Sequence, residues 1–134
     1  MSAAVFADTF YFLALLNRRD PAHARAVGAS RIEERRFLTT AYVLLELGDA
    51  LAKPSVRAEY LALHDAVSQD PAFTVLPADR DLFAQGLALY RERPDKEWSL
   101  TDCISFAVML ERGLTEALTG DRHFEQAGFR AILV

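Results

Sequence analysis

The sequence predicts an α/β fold: a central, mainly parallel sheet of four to five short strands with helices covering both faces. Three observations carry this expectation. Short apolar runs alternate with longer stretches of helical periodicity, the pattern of βα units rather than of hairpins. The first run, Ala3 to Ala7, is apolar throughout instead of alternating, as a strand buried on both faces is. Asp, Pro and Gly punctuate the changes between the two patterns.

Taken in order, Ala3 to Ala7 is the first strand and ends at Asp8. Thr9 to Asn17 reads as a helix, and Asp20-Pro21 opens a second one with proline in its first turn. Phe37 to Thr40 is a short strand, followed by a helix from Ala41 to Ala52 that stops before Pro54. A helix from about Val56 to Ser68 leads to a strand, Phe73 to Leu76, closed by Pro77. Asp79 to Arg91 is helical, with Leu82, Phe83, Leu87 and Tyr90 expected on its apolar face. The polar loop Arg93 to Glu97 reaches Trp98, and a helix from Leu100 to Arg112 stops at Gly113. Ala117 to Thr119 and Ala131 to Val134 are the last strands. No repeat, low-complexity tract or linker divides the chain, so residues 1–134 are expected to form one domain.

About half of the 134 residues are apolar (51%), enough for one core without disulfides. The net charge of -4 argues against a general nucleic-acid binder. The basic residues are nearly all arginine, with Lys53 and Lys96 the only lysines. Arginine suits phosphate, although composition bias gives the same count. Cys103 is the single cysteine and lies in an apolar run, so it reads as a packed thiol in a reducing compartment. No signal peptide or membrane-length apolar run is seen, and a cytoplasmic protein with no membrane partner is expected.

In an open parallel sheet, ligands bind beyond the C-terminal ends of the strands. Asp8 ends the first strand, Asp121 follows Thr119-Gly120 after a later one, and Asp102 opens the last long helix. Glu46 sits in a helix whose expected buried face is Val43, Leu47, Ala50 and Leu51, and it falls at the edge of that face. Each acid has a local alternative. Asp8 can cap a helix, Ser99-Leu100-Thr101-Asp102 resembles a capping box, Asp121 can cap a short turn, and Glu46 can be a rim residue. Together in one crevice, four carboxylates would need protons or a cation. All-oxygen ligation favours Mg²⁺ or Mn²⁺, and such a site can promote hydrolysis of a phosphodiester.

These residues lie in stretches that resemble PIN domains, most closely the VapC-like toxins of type II toxin-antitoxin systems. The stretches are Val5-Phe6-Ala7-Asp8-Thr9, Thr40 to Leu47 around Glu46, Trp98 to Phe106 around Asp102, and Ala117 to Phe124 around Asp121 with Gly128-Phe129. The resemblance covers the whole chain in order and departs at none of the four acids. It implies a three-layer, Rossmann-like α/β/α fold and metal-dependent cleavage of RNA. By position it makes Asp8, Glu46, Asp102 and Asp121 the catalytic and metal-binding acids, with Thr9, Ser105 and Thr119 as hydroxyls that orient them. It further implies a VapB-like antitoxin, which would insert a peptide and a basic side chain into the acidic groove, and a homodimer.

Several residues weigh less. His123 reads as an organiser of the loop after Asp121, and Trp98 as packing for the last long helix. Arg18-Arg19 and Arg35-Arg36 read as solvated surface, whereas Arg122 adjoins the acids and is the better candidate for RNA phosphate. His23 and His64 have no ligand partner at suitable spacing. A receiver-type phosphoacceptor would need a second acid beside Asp8 and a lysine near the last strand; a dehalogenase-like phosphatase would need an acid where Phe10 stands. The remaining alternative is a catalytically silent PIN module that binds RNA or a protein, against which the four acids argue.

Overall fold

A computed structural model describes residues 4–134; Ala3, the expected start of the first strand, lies outside the described residues. Five strands form one sheet in the order β3-β2-β1-β4-β5, and every neighbouring pair is parallel. The strands are β1 (Val5–Ala7), β2 (Phe37–Thr40), β3 (Phe73–Leu76), β4 (Glu116–Leu118) and β5 (Arg130–Ala131). Because parallel neighbours cannot be joined by a tight turn, helices fill the crossovers and cover the sheet. These are α1 (Thr9–Leu16), α2 (His23–Ser30), α3 (Ala41–Ala50), α4 (Pro54–Gln69), α5 (Arg80–Glu92), α6 (Leu100–Arg112) and α7 (Arg122–Gln126).

β1 lies at the centre, and Val5, Phe6 and Ala7 are all buried. Tyr11, Phe12, Phe37 and Phe73 pack together, with Phe37 and Phe73 stacked 4.5 Å apart across β2 and β3. A second aromatic group centres on Phe106, which meets Trp98, Phe124 and Phe129. Trp98 is therefore a packing residue, and its indole N–H donates to Gln126 Oε1 at 3.1 Å.

The observed elements depart from expectation at a few places. The second helix begins at His23, because the Asp20 carboxylate accepts the Ala22 N–H and closes a turn ahead of it. The last strand is Arg130–Ala131, ending earlier than expected. On α3 the buried residues are Val43, Leu44 and Leu47, while Ala50 is exposed. On α5 the buried residues are Leu82 and Gly86, while Phe83 and Tyr90 are exposed. The glycine explains this shift. A Cβ on Gly86 would stand 2.2 Å from Ile104 Cγ1 and 2.9 Å from the Ile104 backbone, so α5 meets α6 along its bare glycine face rather than its aromatic one. Among the described residues no helix is long and apolar enough to cross a membrane.

Candidate active site

Strand register begins the site. Ala7 pairs with Leu118, so the next residues on each chain, Asp8 and Thr119, meet just past the strand ends. The Thr119 hydroxyl donates to Asp8 Oδ2 at 2.9 Å and accepts the Asp121 N–H at 3.0 Å. One buried hydroxyl thus ties two acids from neighbouring loops. Asp8 occupies the N-cap position of α1 but makes no side-chain cap bond, and its Oδ2 is taken by Thr119. Gly120 has to be small here, since a Cβ would stand 2.5 Å from the Phe10 ring.

Asp102 combines the local and the site readings. The Ser99 hydroxyl accepts the Asp102 N–H at 3.0 Å, and Asp102 Oδ2 accepts the Ser99 N–H at 3.2 Å, a complete capping box. The same Oδ2 lies 3.3 Å from His123 Nδ1. Asp121 likewise caps α7, its Oδ1 accepting the His123 N–H at 2.9 Å, while the His123 ring stands 3.5 Å from that oxygen. Against an ionised Asp102 the ring must carry its proton on Nδ1. Glu46, half-buried on α3, accepts a hydrogen bond from the Thr9 hydroxyl through Oε1.

The four acids feel one another. Burial, then the Asp102 charge and more weakly that of Glu46, push Asp8 up to about 7, against hydrogen bonds from Thr119 and the Thr9 backbone that favour its charged form. Asp102 is also raised, first by burial, with Asp121 and Glu46 adding to it. Among the described residues no Lys or Arg forms an ion pair with any of the four.

The other expected residues fall as follows. Thr9 and Thr119 touch acids directly. Ser105 is fully buried one turn beyond Asp102, and its hydroxyl has no hydrogen-bond partner among the described residues. Arg122 is exposed beside Asp121. The side chains of Asp102, Asp121 and His123 offer ligand atoms within 4.8 Å of one another. Sequence reasoning assigned His123 to the loop; its backbone does organise that loop, but its ring joins the acid cluster. The two-residue spacing from Asp121 was the available signal, and the contact with Asp102 needed the fold.

The residues present fit a divalent cation. Carboxylate oxygens are hard donors, with one borderline imidazole nitrogen beside them, and positive charge would offset the burial and the neighbouring Asp102 charge that push Asp8 up. Fold and site together define a parallel α/β/α protein with a cluster of acids beyond its strand ends. The chain belongs to the PIN domain family, whose pattern it matches over residues 5–130. It is similar to the 23S rRNA-specific endonuclease VapC20 of two Mycobacterium tuberculosis strains, with 28% identity over 125 residues covering 93% of this chain and 95% of the relative. The crystal structure of M. tuberculosis VapC20, described as a sarcin-ricin loop cleaving toxin, superposes with a TM-score of 0.84 at 28% identity, over 93% of this chain and 95% of that one. FitAcB from Neisseria gonorrhoeae shares the fold, with a TM-score of 0.63 at 22% identity, over 95% of this chain and 94% of that one.

Proposed function

We propose that the chain is a VapC-like endoribonuclease that hydrolyses RNA phosphodiester bonds at this acidic centre with Mg²⁺ or Mn²⁺. The observation that carries the reading is the convergence of Asp8, Glu46, Asp102 and Asp121 with no Lys or Arg ion-paired to them among the described residues. Asp8, Glu46, Asp102 and Asp121 would hold the cation. When bound, the cation supplies positive charge against the phosphodiester oxygens and makes water more acidic.

The chain's own groups do the positioning. Thr119 holds Asp8 and Asp121 at a fixed separation, and His123 restrains Asp102 and Asp121. Glu46 Oε1 is committed to Thr9, which leaves Oε2 as the atom able to accept a proton from attacking water. The buried Ser105 hydroxyl makes no hydrogen bond to Asp102 or to any other described residue, so its expected role in orienting that acid has no contact behind it. Arg122, exposed one residue after Asp121, is the candidate for substrate phosphate. The relatives support RNA as the substrate, and a sarcin-ricin-type hairpin of large-subunit rRNA is the first target to try. A VapB-like antitoxin as inhibitor, a homodimer, a single PIN domain over the whole chain and a cytoplasmic setting complete the proposal. Exposed Leu45, Phe83 and Leu110 offer apolar surface for such contacts. With all four acids present, nothing favours a catalytically silent module.

The test is cleavage of a labelled panel (the rRNA hairpin, tRNA and single-stranded oligonucleotides) with Mn²⁺, Mg²⁺ or EDTA, beside Asp8→Asn and Asp102→Asn. Cleavage that requires metal and falls to background in both variants is expected. Cleavage that persists in EDTA or in either variant would remove this centre from the reaction.

A further inference from the structure

A polyanion approaching four carboxylates is repelled, so a nuclease of this kind needs positive charge beside its acids. The structure offers one cleft that meets this need and adjoins the centre. It encloses about 690 Å³ between the C-terminal turn of α5 and the N-terminus of α6. Ser99 lines it, and the Ser99 N–H bonds Asp102 Oδ2, so one residue of the cleft wall touches an acid of the site. Buried Trp98 also lines it, with the Arg93 guanidinium 5.2 Å from its ring centre. Arg93 is pinned there by two 3.0 Å hydrogen bonds to Asp95 and is already neutralised. The charges left to act are Arg91 and Lys96, against the single carboxylate of Glu97 on the wall. Arg91 has no hydrogen-bond or ion-pair partner among the described residues, and Lys96 acts on Asp95 only through its charge. Tyr90, half exposed, completes the wall.

Unpaired cations alternating with an exposed aromatic ring are the chemistry of a single-stranded nucleic acid track, in which phosphates meet the charges and a base stacks on the ring. A second cleft with two arginines, around Arg35 and Arg36, lies at the opposite end of the sheet, where β2 begins. We infer that the α5–α6 cleft is the RNA-binding groove, in which Arg91 and Lys96 hold the backbone of an unpaired segment flanking the scissile phosphate and Tyr90 stacks on one of its bases. The inference rests on the nuclease reading for its substrate, but it concerns binding and can fail separately.

The test is fluorescence anisotropy of a labelled, short single-stranded RNA of mixed sequence, titrated in EDTA over a range of salt so that cleavage does not intervene. The proteins are wild type, Arg91→Ala/Lys96→Ala, Tyr90→Ala, and Arg35→Ala/Arg36→Ala as a charge-matched control at the other end of the sheet. The expected result is about tenfold weaker binding for the first pair, with the slope of log K against log salt shallower by about 1.4. Tyr90→Ala should weaken binding about fivefold or more with the slope unchanged. The control pair should bind as wild type does. Equal losses in the two double variants, an unchanged affinity for Arg91→Ala/Lys96→Ala, or no binding by wild type would each overturn the groove. RNA bound through these residues but cut under no metal condition would leave the groove standing and overturn the nuclease reading instead.

Discussion

Asp8 shows how much a single residue owes to its surroundings. In the unfolded chain its carboxyl titrates near 3.8; in the folded, metal-free protein it is pushed up to about 7. The folded state therefore binds the extra proton between those values, and stability falls as pH rises through that window, levelling off above it. The loss is on the order of a few kcal/mol. We expect thermal melts in EDTA to show Tm declining from pH 4.5 to pH 7.5, and Asp8→Asn to flatten that decline because the amide is neutral throughout. An equally steep decline in the variant would mean that other groups set the pH dependence. Thr119 works at the same scale in the opposite sense, since its hydroxyl favours the charged Asp8.

At the scale of elements, the acids are delivered by caps and crossings rather than by flexible loops. The capping box at the start of α6 fixes Asp102, and the short cap of α7 fixes Asp121. The placement of α6 depends in turn on α5, which packs against it through Gly86. Gly86→Ala puts a methyl group into both the side chain and the backbone of Ile104. It should cost about 1–3 kcal/mol in urea denaturation, and Ile104→Ala should restore only part of this because the backbone clash remains. A Gly86→Ala protein as stable as wild type would show that the helices can separate without penalty. Gly86 also accounts for the exposed Phe83 and Tyr90. The helical period of α5 was legible, but a face chosen by apolar content pointed one way and the close approach of two backbones decided another.

For the whole molecule, the four acids come from the ends of β1 and β4 and from α3 and α6, so a bound cation would bridge elements far apart in sequence. Such a ligand binds the folded state and not the unfolded chain. Mn²⁺ at one hundred times its Kd should stabilise by about 2.7 kcal/mol, seen as a Tm several degrees higher at pH 7.5. The rise should be smaller at pH 5.5, where Asp8 already holds a proton in place of the metal, and absent in Asp102→Asn. A Tm indifferent to Mn²⁺ and Mg²⁺ at both pH values would sink the cation site, whatever the cleavage assay gave.

Local pattern was enough to determine the order of βα units, because burial on both faces and helical periodicity are written in neighbouring residues. The spans of β2, β3 and α6 were read as observed, since turn and cap residues mark their ends. The acids were legible as candidates because each stands at an element end or a buried-face edge. Tertiary structure alone decided what depends on residues distant in sequence. It set the register that joins Thr119 to Asp8 across 111 positions, the turn of the His123 ring onto Asp102, the isolation of the Ser105 hydroxyl, and the cleft that gathers Arg91, Lys96 and Ser99. These follow from how the layers pack, and packing is a property of the whole chain.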